Sequence, residues 1–294
     1  MNRLQGDAGP VPLPTPETYG RDLNEVMQTV ATVGLWAGTI ALLVYAARIG
    51  RQERSPLPVF IVLAVAAGSI FEPIYDITYH LHWLGADAEG NGPQWTLFTS
   101  FGLPQPVWVM PAYVVVFALP AVLLYRAFAA GVTLKKIYSY AALTAFTTAL
   151  FETIAVNSGL YTYYGEAPMR FLNYPLFIAF MECAQITGFA VLCAVIKLRA
   201  TKWQHNLIVF MVFPANFAFE CLGAGFPTLV AMNAPNPSTA IMWAMAPVSI
   251  GLAAAGLYWT SQALFAVQRL AELEGRAPSL SPMSRTERIA ATVV

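Results

Sequence analysis

The sequence has little charge: only 11% of its 294 residues are Asp, Glu, Lys or Arg, against about 25% in a typical soluble domain. Hydrophobic residues make up 57% of the chain. A soluble core of this size cannot bury so many apolar side chains, so the composition argues against a soluble protein and favours an integral membrane protein. The formal net charge is zero at pH 7, which predicts no nucleic-acid partner.

Residues and motifs that carry several common chemistries are also missing. The three cysteines, Cys183, Cys193 and Cys221, lie in apolar segments without the paired spacing of a metal site, and we interpret them as small core residues. A retinal protein needs a lysine in its last helix for the Schiff base, and residues 252–270 contain none. The sequence also has no phosphate-binding loop, Ser-His-Asp set or dinucleotide fingerprint.

Seven apolar segments have the length of a membrane-spanning helix, and only helices satisfy the backbone hydrogen bonds of such segments in lipid. We predict spans over residues 26–49, 57–80, 107–127, 134–157, 174–198, 203–226 and 240–266. The predicted fold is therefore an all-α bundle of seven transmembrane helices, a multi-pass protein of the cell membrane. Its domain covers residues 26–270, between a polar, proline-rich tail (1–25) and a polar C-terminal tail (271–294).

Lysine and arginine predict the orientation, because the cytoplasmic loops of membrane proteins are enriched in both. Of the 16 Lys and Arg residues, 13 fall on one side of the predicted spans. These are Arg48, Arg51, Arg54, Arg126, Lys135, Lys136, Lys197, Arg199, Lys202, Arg269, Arg276, Arg285 and Arg288. The other side has Arg3, Arg21 and Arg170. The N-terminus is therefore predicted to lie outside and the C-terminus in the cytoplasm.

Five acidic side chains lie inside the predicted spans, where no lysine or arginine occurs at comparable depth. They are Glu72 and Asp76 in the second span, Glu152 in the fourth, Glu182 in the fifth and Glu220 in the sixth. At about 1.5 Å per residue, the four glutamates lie roughly 8–12 Å from the outer ends of their helices. A charged group that faces lipid costs several kcal/mol. We therefore predict that the five carboxyl groups line one cavity in the outer half of the bundle.

Acids without basic partners suggest proton-transfer chemistry. Burial and mutual repulsion favour the protonated form, so a protonated carboxyl beside an ionised one supplies a general acid and a general base. Glu72, Asp76 and His80 are spaced four residues apart and share one helix face. Pro73 leaves a backbone carbonyl without its helical donor, which predicts a kink that opens the wall at Glu72. We predict the five acids as the catalytic residues.

Aromatic and amide side chains near the outer ends of the helices are candidates for binding an apolar substrate, because such rings also stabilise developing positive charge. The candidates are Tyr75, Tyr79, His80, Trp83, Asn157, Tyr161, Tyr163 and Asn216. The polar connector "NSGLYTYYGEAPMRFLNYP", residues 157–175, is predicted to form a lid.

Two other interpretations fit the same residues. In a purely structural one, each acid accepts a hydrogen bond from Tyr, Asn, Thr or Ser on a neighbouring helix, and the aromatic residues and His80 form an interfacial belt. In a metal site, Glu72, Asp76 and His80 would be ligands with further glutamates, but only one inward histidine is available. We predict neither a metal nor another cofactor.

Three segments resemble the AveC-like spirocyclase family of actinobacterial membrane proteins: "SIFEPIYDITYH", "LFETIAVNSGLYTYYG" and "NYPLFIAFMECAQ". The resemblance covers roughly residues 26–198. It implies closure of a dihydroxy-ketone polyketide into a spiroketal, with or without dehydration, and it assigns no catalytic residues. A terpene-type cyclase or hydratase, and a proton- or cation-coupled carrier, are the alternatives. The expected partners are a hydrophobic small molecule and membrane lipid, and the oligomeric state stays open.

Overall fold

The computed structural model describes residues 23–85 and 95–274. Nearly all of both predicted tails lies outside these residues, together with most of the polar loop 85–93. Arg3, Arg21, Arg276, Arg285 and Arg288, which entered the orientation argument, lie outside them too.

Seven helices are long and apolar enough to cross a membrane. They run over Glu25–Glu53, Leu57–Tyr79, Val109–Ala129, Leu134–Asn157, Phe177–Arg199, Trp203–Ala224 and Thr239–Leu273. A short helix, Phe226–Met232, follows the sixth. Each long helix overlaps one predicted span, and the last is longer than predicted. The predicted helical bundle with seven candidate membrane spans is thus confirmed, and it indicates a multi-pass membrane protein.

The fifth span lies at the centre of the bundle. In its most apolar stretch 83% of the residues are buried, against 17% in the first span. Small side chains such as Ala184, Gly188 and Ala190 let neighbouring helices approach it closely. It packs along the third, fourth, sixth and seventh spans. Around it, the second span contacts the third and the sixth, the sixth contacts the seventh, and the first lies outside against the second and third.

The second span is irregular at the place where Pro73 predicts a kink. An α-helix, Leu57–Gly68, gives way to a 3₁₀ turn, Ser69–Phe71, and an α-helix resumes over Glu72–Tyr79. Proline has no N–H to offer the Ser69 carbonyl, and the N–H of Glu72 bonds that carbonyl instead. The tighter turn places Glu72 at the start of the resumed helix.

Two further spans contain π-helical segments that the sequence analysis did not predict. One, Val114–Ala118, separates the α-helices Val109–Tyr113 and Leu119–Ala129 of the third span. The other, Ala218–Ala224, ends the sixth span after a 3₁₀ segment, Trp203–Ile208, and an α-helix, Val209–Phe217. A π-helical turn changes which side of the helix the following residues face, and such turns are frequent at functional sites.

Short strands cover one end of the bundle, which we call the hairpin end. The strands are β1 (Leu81–Trp83), β2 (Thr96–Ser100), β3 (Leu103–Pro106), β4 (Tyr161–Tyr163), β5 (Arg170–Phe171) and β6 (Tyr174–Pro175). They form the antiparallel pairs β1–β4, β2–β3 and β5–β6. In the first pair Leu81 lies opposite Tyr163, and Trp83 lies opposite Tyr161. The connector predicted as a lid contributes β4, β5 and β6, and its pairing with β1 was not predicted.

An ionic cluster holds the opposite end, which we call the basic end. Glu53, at the end of the first span, accepts hydrogen bonds from Arg126 Nε at 2.8 Å and Lys197 Nζ at 2.6 Å. The Tyr125 hydroxyl donates to the same carboxylate at 2.9 Å. Because the partners lie on the first, third and fifth spans, one carboxylate ties three helices together.

Glu53→Gln should therefore lower the stability of the fold. The amide keeps the size of the side chain but loses the charge that two basic groups face, and the expected loss is about 1–3 kcal/mol in the free energy of unfolding. Chemical denaturation in detergent measures it. Arg199→Gln is the matched control: Arg199 Nη1 lies 3.9 Å from Glu274 and both side chains are exposed, so the loss should be about 0–1 kcal/mol. Equal losses would contradict the role given to Glu53.

Candidate active site

A cavity of about 50 Å³ lies near the hairpin end, with room for a few water molecules. Five spans, from the second to the sixth, and strands β1 and β4 contribute its walls. Three predicted acids line it: Glu72, Glu152 and Glu182. The rest of the lining is aromatic or apolar: Tyr75, Leu81, Trp83, Trp108, Val109, Ala112, Tyr113, Val116, Phe117, Phe151, Tyr161, Tyr163 and Phe217. Among the residues that the structure describes, no lysine or arginine lines the cavity.

A tyrosine hydroxyl donates a hydrogen bond to each of the three acids. Tyr113, which directly precedes the π-helical turn of the third span, donates to Glu72 Oε2. Tyr75, almost one helical turn after Glu72, donates to Glu182 Oε1 at 3.0 Å. Each bond joins two different spans, so these bonds fix the helices as well as the carboxyl groups.

The third bond comes from the strand that covers the cavity. Tyr163 of β4 donates to Glu152 Oε2 at 3.0 Å. Burial and the neighbouring Glu152 carboxyl raise the pKa of Tyr163 and of Tyr161 well above the usual value for tyrosine. Both phenols therefore stay neutral at pH 7 and act as donors.

The three carboxyl groups are also close enough to influence one another. All three line the same cavity of about 50 Å³, so a charge on one of them lies close to the other two. Carboxyl groups in such proximity do not all ionise together, because each charge opposes the next. The arrangement can hold a proton beside an ionised carboxylate, which is the requirement for paired acid and base catalysis.

Asp76 lies next to the cavity without lining it. Its Oδ2 accepts hydrogen bonds from Trp83 Nε1 at 2.9 Å and Gln105 Nε2 at 2.6 Å. It is fully buried and lies one helical turn after Glu72. Asp76 therefore fixes Trp83, which lines the cavity, and Gln105 of β3 to the second span.

Glu220 is not among the residues that line the cavity, although the sequence analysis placed it with the other acids. It lies between the fifth and seventh spans: a Cβ added to Gly188 would lie 3.8 Å from its Oε1, and one added to Gly256 would lie 2.9 and 3.0 Å from its two carboxyl oxygens. Among the described residues neither buried oxygen has a hydrogen-bond partner. The expectation failed here because depth along a helix does not fix the direction of a side chain. Glu220 lies within the π-helical segment, where the phase of the helix changes.

Half of the predicted substrate-binding residues line the cavity: Tyr75, Trp83, Tyr161 and Tyr163. The others have partners elsewhere: Tyr79 with the Cys221 carbonyl, His80 with Asn233, Asn157 with the Thr153 and Leu172 carbonyls, and Asn216 with the Gln185 carbonyl. Those four satisfy hydrogen bonds at helix ends and breaks.

His80 ends the second span in the left-handed conformation, with φ 60°. Its ring stacks on Tyr164 at a centroid distance of 4.8 Å. Burial lowers its pKa, so the ring is neutral at pH 7. It serves the turn from the second span into β1.

Tyr113, Trp108 and Gln105 were missed by the sequence analysis. The sequence could have indicated Tyr113, because its hydroxyl is the one hydroxyl group among residues 109–124 of the third span. Trp108 contacts Trp83 edge to face at 5.1 Å and donates through Nε1 to Gln28 of the first span at 3.4 Å. Gln105 precedes the third span in β3, and it reaches Asp76 because β3 packs against β1 and the end of the second span.

Within residues 23–85 and 95–274, no group of three or more His, Cys, Asp and Glu side chains is placed to hold a metal ion. His80, the histidine of the predicted metal alternative, points to Asn233. The three cysteines are buried and unpaired by disulfides.

No protein-family model, curated protein or solved structure matches this chain.

The position of Asp76 predicts how its substitutions act. Asp76→Leu leaves the Trp83 indole N–H and the Gln105 amide without an acceptor, and each buried donor costs about 1–3 kcal/mol when stranded. Asp76→Asn keeps one oxygen acceptor, so its free energy of unfolding should fall by less than that of Asp76→Leu. Denaturation in detergent compares the free energies of unfolding of the two variants. If Asp76→Leu were as stable as Asp76→Asn, the hydrogen bonds to Trp83 and Gln105 would not hold the strands.

Proposed function

We propose that this protein is a membrane-embedded acid–base cyclase that closes a hydrophobic, oxygen-bearing substrate into a spiroketal. One observation carries the proposal: three carboxyl groups from three helices meet in an aromatic cavity, each held by a tyrosine donor. Such a group of acids can give a proton to one oxygen of a substrate and remove a proton from another.

Spiroketal closure matches what these residues can supply. A protonated carboxyl, assigned to Glu72, gives its proton to a ketone oxygen while an ionised neighbour, Glu152 or Glu182, takes the proton of the attacking hydroxyl. The neighbouring carboxyl, now protonated, gives its proton to the hemiketal hydroxyl, which leaves as water. The second hydroxyl then bonds the same carbon and passes its proton to Glu72, which closes the second ring. The dihydroxy-ketone loses one water and each carboxyl recovers its starting state. No electron is transferred, so the reaction itself requires no redox cofactor.

The resemblance to AveC-like spirocyclases supports the same reaction class. Each of the three segments that carry the resemblance contributes an acid to the cavity: "SIFEPIYDITYH" has Glu72, "LFETIAVNSGLYTYYG" has Glu152 and "NYPLFIAFMECAQ" has Glu182. A terpene-type cyclase or hydratase would use the same carboxyl groups. The identity of the product separates the two reactions.

A second candidate function is supported by the size of the cavity. A volume of about 50 Å³ accommodates a hydrated proton or a small cation better than an entire polyketide, as expected of a proton- or cation-coupled carrier. Flux of protons or cations into proteoliposomes, with no conversion of candidate substrates, would favour the carrier.

We also propose that the basic end faces the cytoplasm. A reporter fused after Val294 should then be cytoplasmic, and a tag inserted within residues 85–93 should be accessible on intact cells, because the excess of lysine and arginine determines the orientation. Protease protection and impermeant labelling measure both positions. The opposite pattern of accessibility would show that the basic end faces outside and would contradict this proposal.

Glu72→Gln should reduce turnover by a factor on the order of 10² to 10⁴, the usual effect of removing one acid–base group. The amide keeps the acceptor for Tyr113 but has no proton to transfer. The measurement is mass-spectrometric detection of water loss from a panel of lipid-soluble dihydroxy-ketones, with purified protein in detergent.

Glu220→Gln is the matched control, because it makes the same change in a buried glutamate that lies outside the cavity. It should leave turnover close to that of the wild type. Equal losses in the two variants, or full activity of Glu72→Gln, would contradict the mechanism. Activity that is lost in a chelator and restored by one metal ion would support the metal alternative.

A further inference from the structure

We infer that the cavity opens sideways, between the third and fourth spans, and that it receives from the bilayer an amphipathic molecule with an apolar body and a hydroxyl or carbonyl end. The inference rests on the proposed function for the chemistry at the cavity floor. It adds the route of entry and the class of molecule that can use it.

The spans packed around the fifth span do not form a closed ring of helices, because one neighbouring pair makes no extensive contact among the described residues. The second span packs on the third and on the sixth, and the sixth packs on the seventh. The third and fourth spans, both fully described, each pack along the fifth but have no extensive contact with each other. They meet near the basic end, where the ring centroids of Phe128 and Tyr140 lie 5.5 Å apart. Towards the hairpin end a gap is left between the described residues of the two spans. At that end the first span begins beside the fourth, where the Asn24 N–H donates to the Gly159 carbonyl at 3.1 Å.

Both sides of this gap contribute residues to the cavity lining. Val116 comes from the third span, and Phe151 and Glu152 come from the fourth. All three are half-buried, whereas Glu72 and Glu182 are only 6% and 7% exposed. Glu152 is therefore the acid that comes from a span bordering the gap, whereas Glu72 and Glu182 come from the second and fifth spans.

The hairpin end is closed by packed aromatic rings. Trp83, Trp108, Tyr161 and Tyr163 line the cavity on that side, and none is more than 4% exposed. The Trp83 ring contacts both Trp108 and Tyr161 at centroid distances of 5.1 Å. A solute in water has no open path through these rings.

The surface beside the gap is apolar. Leu123 on the third span is 50% exposed, and Leu150 and Ile154 on the fourth are 50% and 55% exposed. Apart from Glu152, neither span has a charged residue over 109–125 or 137–157. These apolar side chains offer no favourable contact to an ion or a fully polar solute. A molecule dissolved in lipid reaches them without leaving the bilayer.

The floor of the cavity selects one end of that molecule. Tyrosine hydroxyls and carboxyl groups offer hydrogen bonds to an oxygen, while the volume of about 50 Å³ suits a hydroxyl or carbonyl group with a few attached carbons. The apolar remainder would then lie between the third and fourth spans. This arrangement accounts for a cavity much smaller than an entire polyketide.

A lipophilic carbodiimide tests the route independently of turnover. The acid proton passes to a carbodiimide nitrogen, the carboxyl oxygen bonds the central carbon, and the O-acylisourea rearranges to a stable N-acylurea. The full-length protein in liposomes is treated with dicyclohexylcarbodiimide or with a cationic, water-soluble carbodiimide, and peptides are mapped by mass spectrometry. Glu152 should be labelled first, and at least about tenfold faster by the lipophilic reagent, which concentrates in the bilayer.

Substitutions beside the gap identify it as the route. Val116→Trp fills the gap and should slow the labelling of Glu152, whereas Phe151→Ala widens it and should speed labelling. Met211→Trp, which adds the same ring on the exposed side of the sixth span, away from the gap, is the control and should change nothing. Because Phe151→Ala acts in the opposite direction, the test holds even if Val116→Trp does not fold.

Equal labelling by the two reagents, or labelling that Phe151→Ala leaves unchanged, would overturn the lateral route. A protein that labels as expected but converts no substrate would keep the route and count against the proposed reaction. The two failures are therefore distinguishable.

Discussion

Tyrosine hydroxyls that donate to carboxyl groups are the interaction on which the site depends. In a bilayer no water is available to solvate a buried acid, so the protein itself has to supply the donors. Tyr113, Tyr75 and Tyr163 do so for Glu72, Glu182 and Glu152 respectively. A lysine or arginine partner would hold each acid ionised. A neutral phenol leaves the carboxyl group able to gain or lose a proton.

Irregular backbone brings these donors and acceptors together. The 3₁₀ turn before Pro73 positions Glu72, and the π-helical turn of the third span follows Tyr113 directly. Pairing of β1 with β4 places Tyr163 over the fourth span. The fourth and fifth spans reach the cavity from unbroken α-helices, so the departures from regularity act in the second, third and sixth spans.

The sequence was sufficient to predict the helices, because long apolar runs permit only one structure in lipid. It also identified Glu72, Glu152 and Glu182, since their depth in the membrane follows from counting residues. It failed for Glu220, because the azimuth of a side chain depends on a π-helical turn that has no clear signal in the sequence. The roles of Tyr113 and Gln105 depend on contacts between distant segments. The hydrogen bonds from tyrosine are also what a purely structural interpretation expects, and the shared cavity is the feature that favours a functional one.

The central claim is that Glu72, Glu152 and Glu182 hold protons as one coupled group. Infrared difference spectroscopy of the protein in lipid, titrated with pH, follows the carbonyl band of protonated carboxyl groups directly. Replacing any one of the three by glutamine should shift the titration of the other two, while Glu220→Gln should remove its own contribution and leave theirs unchanged. Independent titration of the three acids, each unaffected by the loss of the others, would contradict the account.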